Sequence, residues 1–157
     1  MLPLHKILCS TDFSEPSFVA LKIAGEWAKH FGAELCVIHV VESMENPGLI
    51  LSTEEIEVSM RIEALRRLHE VVGDHLADIG SVHPIVAIGS PADEIAASAE
   101  RENVDMLVIA THGLSGWRYI ASGSLVDRIW FGSVATNVMR LAHCPILTVR
   151  LPSNLIV

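Results

Sequence analysis

From Asp105 to Arg150 the chain reads as a buried strand, a glycine-rich loop, a helix opening on Gly-Ser and a closing strand. After Val104-Asp105, the continuous apolar run Met106–Ala110 passes directly into Thr111-His112-Gly113-Leu114-Ser115-Gly116. After a long connection come Gly132-Ser133-Val134-Ala135-Thr136-Asn137-Val138-Met139-Arg140, then Cys144-Pro145-Ile146-Leu147-Thr148-Val149-Arg150. A strand feeding a glycine turn and a helix N-terminus is the arrangement with which α/β folds hold phosphate.

The preceding residues repeat the same alternation. His5–Ser10 is a short apolar strand ending at Thr11-Asp12. Ser14 is placed as an N-cap, Pro16 falls in the first turn, and Val19, Leu21, Ile23, Ala24, Trp27, Ala28 and Phe31 recur at helical spacing before Gly32. Glu34–Val41 is apolar on both faces, as a central parallel strand is. The segment from Glu42 to Leu51 carries Pro47 and Gly48 and reads as a loop. Ser52-Thr53-Glu54-Glu55 opens a helix expected to run to about Ile79, with Ile56, Met60, Ile62, Leu65, Leu68, Val71, Val72 and Leu76 as its apolar stripe. Val82–Ile88 is a third strand, which Pro84 assigns to a sheet edge. Gly89-Ser90-Pro91-Ala92 starts a third helix bearing Ile95, Ala96 and Ala99.

This alternation predicts an α/β fold: an open, doubly wound, five-stranded parallel sheet with helices on both faces. Strand order does not follow from spacing alone. An order of 3-2-1-4-5 would bring Ser10-Thr11-Asp12 and Ala110-Thr111-His112-Gly113 to one crevice at the topological switch point, where such folds bind ligands.

The 157 residues are expected to form a single domain, 1–157. Half are apolar and 19% are charged, which excludes a disordered chain. A net charge of −8 argues against a nucleic-acid-binding surface but not against one small anion held by backbone N–H groups. The N-terminus lacks the apolar core of a signal peptide and no apolar run is long enough to span a bilayer, so the expectation is a cytoplasmic protein with no membrane partner. Cys9, Cys36 and Cys144 form no CxxC, and the first two lie in strand-like runs as buried, reduced thiols.

At Lys6-Ile7-Leu8-Cys9-Ser10-Thr11-Asp12-Phe13-Ser14, at the His39-Val40-Val41 strand end, and at Thr111-His112-Gly113, Gly132-Ser133-Val134-Ala135 and Cys144–Val149, the chain resembles the universal stress protein family. The resemblance covers essentially the whole chain with elements in the same order. It implies an adenine nucleotide alpha hydrolase-like fold, a homodimer, and membership of either an ATP-binding or a non-binding branch. The ATP-binding branch carries Gly-x-x-Gly, nine residues, then Gly-Ser or Gly-Thr. Here Ala110 replaces the first glycine, and 18 residues separate Gly113 from Gly132. Gly123-Ser124 fits the nine-residue spacing, but the residues after Gly132-Ser133 match the family's closing helix and strand, so the helix start is assigned there. The extra residues are then about 121–129.

On that resemblance the nucleotide-binding residues are Ser10, Thr11, Asp12, Val41, Ala110, His112, Gly113, Gly132, Ser133, Val134 and Ala135, with ATP as ligand, with or without Mg²⁺. Each has a plainer alternative. Asp12 contacts ribose or adenine, or else caps its own turn; Val41 borders adenine or is core. Gly132-Ser133 binds phosphate or is only a helix cap. His112 touches the ligand or bonds to backbone, and Arg118 approaches phosphate or is a solvated charge. Trp117, Tyr119, Trp130 and Phe131 crowd the connection and pack on their own domain or on a partner. Residues 146–150 would form an edge strand, where a second copy can pair across a two-fold axis.

Three functions follow: an ATP-binding stress-response or signalling module, a slow ATP hydrolase, and a nucleotide-free dimeric interaction protein of the same fold. No GxxxxGK[ST] and no GxSxG occurs, so neither phosphoryl-transfer nor hydrolase machinery is legible and no catalytic or metal residue is assigned.

Overall fold

The computed structural model describes residues 3–42, 53–111 and 132–151. Within them five strands, β1 (Lys6–Ser10), β2 (Glu34–Val41), β3 (Val82–Ile88), β4 (Met106–Ala110) and β5 (Ile146–Val149), form one parallel sheet in the order β3-β2-β1-β4-β5. This is the expected doubly wound sheet. Its helices are α1 (Glu15–Phe31), α2 (Thr53–His75), α3 (Pro91–Arg101) and α4 (Ser133–Leu141). Pro84 lies on β3 at one edge, where its missing N–H breaks no ladder.

Successive side chains on each strand separate into two cores. Ile7, Cys9, Leu35, Val37 and Val108 pack with Ala20, Leu21 and Ala24 of α1 and Leu68 and Val71 of α2. Leu8, Cys36, Ile38, Leu107 and Ile109 pack on the opposite face with Ile95 and Ala99 of α3 and Ala135 and Val138 of α4. The chain therefore leaves β1 toward one face and β4 toward the other, which opens a crevice between their carboxyl ends.

Local chemistry sets the helix ends. The Ser14 hydroxyl accepts the Ser17 N–H at 3.4 Å, and Pro16 stands where its missing N–H has no intrahelical role. Gly32 closes α1 in the left-handed region, φ 66°, a conformation that costs a side-chain-bearing residue more.

Helix α2 departs from expectation in two ways. It ends at His75 rather than near Ile79, and Ile62 and Leu65 are exposed, at 65% and 37%, while Ala64, Leu68 and Val71 face the core. Both differences come from packing. Leu76 and Ile79 close over Gly25 of α1, where a Cβ would lie only 2.8 Å from Leu76 Cδ2, so the chain abandons the helical path to seat them.

Cys9 and Cys36 are free and buried, as read from the sequence, while Cys144 is partly buried. Burial pushes the Cys36 thiol up to about 11, with Glu34 adding to it, and pushes Cys9 up as well, so both are protonated at neutral pH.

At the amino ends of the strands, Asp105 Oδ2 accepts the His5 N–H at 2.7 Å and the Lys6 N–H at 2.9 Å, latching the start of β1 to the turn before β4. The His5 bond, then the Lys6 bond, holds this carboxylate below its ordinary range. Because the folded-state value is the lower one, the latch stabilises the fold above the unfolded value of about 3.9 and is lost as pH falls through the folded value. Asp105→Asn is expected to cost about 1 kcal/mol near neutral pH. In urea unfolding the gap from the unsubstituted protein should shrink on acidification through the carboxylate range. A gap that stayed constant would assign the loss to packing instead.

Candidate functional site

The last register pair between the two central strands is Cys9 with Val108. Beyond it β1 runs out through Ser10, Thr11 and Asp12 and β4 through Ile109, Ala110 and Thr111, side by side at the switch point. Thr11 is engaged on every side. Its N–H donates to Ile38 O at 2.9 Å, its Oγ1 shares a hydrogen bond with Ser17 Oγ at 2.8 Å and accepts the Phe13 N–H at 3.1 Å. Ser10 and Thr11 are buried, so they form the floor of the crevice.

Asp12 Oδ1 accepts both the N–H, at 3.1 Å, and the hydroxyl of Ser14. The turn-capping role is thus realised. Those two bonds do not by themselves exhaust a carboxylate's acceptor capacity.

Phe13, which follows, was not among the residues singled out from sequence. It stands at φ 63°, where a bulky side chain is an outlier. Its ring packs on the His39 imidazole with centroids 4.2 Å apart, and the Arg67 guanidinium of α2 sits 4.3 Å from its centroid. His39 Nδ1 lies 2.8 Å from Thr11 O. A carbonyl only accepts, so the imidazole carries a proton on Nδ1. Burial lowers the His39 pKa, which favours the neutral ring. The register of Ser10 opposite Ile38 places His39 next to Thr11, and that register was the missing signal.

Val41 ends β2 with its side chain buried and its carbonyl accepting the Gly89 N–H at 2.9 Å. It is core with its backbone at the rim. Ala110, the last residue of β4, lies opposite Val149 of β5 and is not among the positive-φ residues, so alanine is accommodated there without backbone strain.

The helix start falls at Gly132-Ser133. The Gly132 N–H donates to Thr111 O at 2.6 Å, which ties the N-terminus of α4 directly to the end of β4. Gly132 is the N-cap and supplies no side-chain bond to the first-turn N–H groups. Ser133, Val134 and Ala135 follow as the first turn, with Ser133 exposed and Ala135 buried in the core. The structure therefore brings Ser10, Thr11, Asp12, Val41, Ala110 and Gly132–Ala135 to the carboxyl end of the sheet. His112, Gly113, Arg118, Gly123-Ser124, the extra residues 121–129, the aromatic residues 117, 119, 130 and 131, and the loop from 43 to 51 lie outside the described residues.

The universal stress protein family model matches residues 3–150. The chain belongs to that family. Universal stress protein MJ0531 of Methanocaldococcus jannaschii is 36% identical over 153 residues, covering 95% of this chain and 84% of its own length. The solved structure of protein MJ0577 aligns with a TM-score of 0.78 and 28% identity over 96% of this chain and 99% of that one. The universal stress protein from Archaeoglobus fulgidus in complex with dAMP shares the fold at a TM-score of 0.62 and 21% identity, covering 95% and 99% of the two chains. No helix among the described residues of this universal stress protein is long and apolar enough to cross a membrane.

Proposed function

We propose that this universal stress protein binds ATP in the crevice between β1 and β4 and serves the cell as a nucleotide-responsive stress or signalling module rather than as an efficient enzyme. The observation that carries the reading is the 2.6 Å bond from Gly132 to Thr111, which sets the N-terminus of α4 at the switch point, with a glycine N-cap that has no side chain of its own to occupy the first-turn N–H groups. First-turn N–H groups and the helix dipole there favour an anion. Asp12, at the end of β1, is the group to receive a ribose hydroxyl or the adenine amino group. The A. fulgidus relative of the same fold is held in a complex with an adenine mononucleotide, and that chemistry supports the reading. Mg²⁺, if it accompanies ATP, would be carried mainly by phosphate and water.

The same proposal makes the chain one domain, 1–157, acting in the cytoplasm as a homodimer. Among the described residues β5 is an edge strand of the sheet, and that position supports pairing through residues 146–150.

Graded ATP, with and without Mg²⁺, is expected to raise the melting temperature saturably. At a hundredfold excess over Kd the gain is about 2.7 kcal/mol, or roughly 5–10 °C for a chain of this size. Asp12→Ala should weaken binding about tenfold, each protein being compared with its own ligand-free state because Asp12 also holds the Ser14 turn. A flat response at millimolar ATP would favour the nucleotide-free interaction protein. Phosphate release above background that Asp12→Ala removes would favour the slow hydrolase.

A further inference from the structure

At the opposite end of the sheet from the crevice, three side chains with metal-binding chemistry converge. Glu34 and Cys36 are two residues apart on β2 and so share a face, and Cys36 stands directly opposite His83 of edge strand β3. One carboxylate oxygen, the thiol sulfur and one imidazole nitrogen all lie within 4.8 Å of one another. Ligands around a tetrahedral zinc ion sit roughly 3.5 Å apart, given metal–ligand bonds of about 2.0–2.3 Å. The cluster needs a closure of about 1 Å, which exposed His83 and partly exposed Glu34 can supply by side-chain rotation.

We propose that Glu34, Cys36 and His83 form a site for a zinc-type divalent cation, with water as the fourth ligand. Mixed sulfur, nitrogen and oxygen donors select such a cation over calcium or magnesium, which prefer oxygen alone. The surrounding charges agree. Lys6 Nζ lies 3.6 Å from Glu34 Oε2 and 3.6 Å from Glu102 Oε2. Two carboxylates, one ammonium and a metal-bound thiolate leave two negative charges, which a divalent cation cancels. The ion pair to Lys6 is made at Glu34 Oε2, and a carboxylate has two oxygens, so a metal and an ammonium can share it while Lys6 orients the group. The thiol proton is released to solvent as the metal–sulfur bond forms. His83 is the exposed member of the set and Cys36 the fully buried one, so the cation has to reach the thiol past His83 at the sheet edge.

The test is titration of the untagged, reduced, nucleotide-free full chain with Co²⁺, followed by Zn²⁺. One Co²⁺ per chain is expected, with a thiolate-to-cobalt charge-transfer band that Zn²⁺ abolishes by displacement. His83→Ala, at an exposed position the fold does not depend on, should weaken cobalt binding at least about tenfold. Cys36→Ser should remove the band, and Cys144→Ser should leave it intact. Absence of the band from the folded protein, its survival in Cys36→Ser, or unchanged affinity in His83→Ala would each overturn the site. None of these readouts involves ATP, so the cation site and the nucleotide crevice stand or fall separately.

Discussion

Gly132→Asp is expected to leave the ligand-free protein as stable as before, or slightly more so, while removing its response to ATP. The backbone at Gly132, φ −56° and ψ 152°, is open to any L-residue. Aspartate is a preferred N-cap, a few tenths of a kcal/mol better than glycine, and its charge at the positive end of α4 adds about 0.3–1 kcal/mol. The melting temperature should therefore hold or rise by about 1–4 °C. The same carboxylate occupies the first-turn N–H groups and repels phosphate. Two unit charges about 4 Å apart near a protein surface interact by about 4 kcal/mol, so at least a hundredfold loss of ATP affinity follows. Gly132→Ser should cap the helix without charge and retain most of the affinity. Calorimetric titration of the three proteins checks the pattern, and an aspartate variant that bound ATP normally would place the phosphates elsewhere.

Leu107→Ala is expected to be the most damaging of the substitutions considered. Leu107 is fully buried on β4, beside Leu8 of β1 and Ile146 of β5, in the core shared with α3 and α4. Truncating such a side chain costs about 2–5 kcal/mol, because the cavity collapses only in part. Against a total of about 5–15 kcal/mol this is a large share, and the melting temperature should fall by about 5–15 °C. Ile62→Ala, on the exposed side of α2, provides the contrast, with a change within about 0.5 kcal/mol. Equilibrium denaturation of the two variants measures both. Similar losses would mean that Ile62 is covered by something other than the described residues.

The legible parts of this molecule were those written in short-range chemistry. Ser14 and Gly32 bound α1 through a hydroxyl cap and a left-handed glycine, both properties of single residues. The two-sided apolar run of β2 announced a central strand, and Pro84 an edge, because each reports the hydrogen bonds its backbone can make. Gly132-Ser133 as the opening of the last helix was readable from the residues that follow it. Where the strands stop and the helices begin was readable in the same way, while their meeting at one crevice rested on the strand order.

What failed to follow from sequence depended on which strand lies beside which. The end of α2 at His75 is dictated by Leu76 and Ile79 finding Gly25 on another helix, and Ile62 and Leu65 face outward although their spacing alone suits a core stripe. Phe13 holds its unfavourable backbone angle against His39 from β2 and Arg67 from α2, residues distant in the chain. Glu34, Cys36 and His83 meet only because the register sets Cys36 opposite His83. By itself, then, the sequence determined the elements, their order and the family, since periodicity, caps and turn residues act within a few positions. The tertiary structure alone decided the register, the helix end set against Thr111 and the convergence of distant side chains, because those depend on packing between segments that no local pattern encodes.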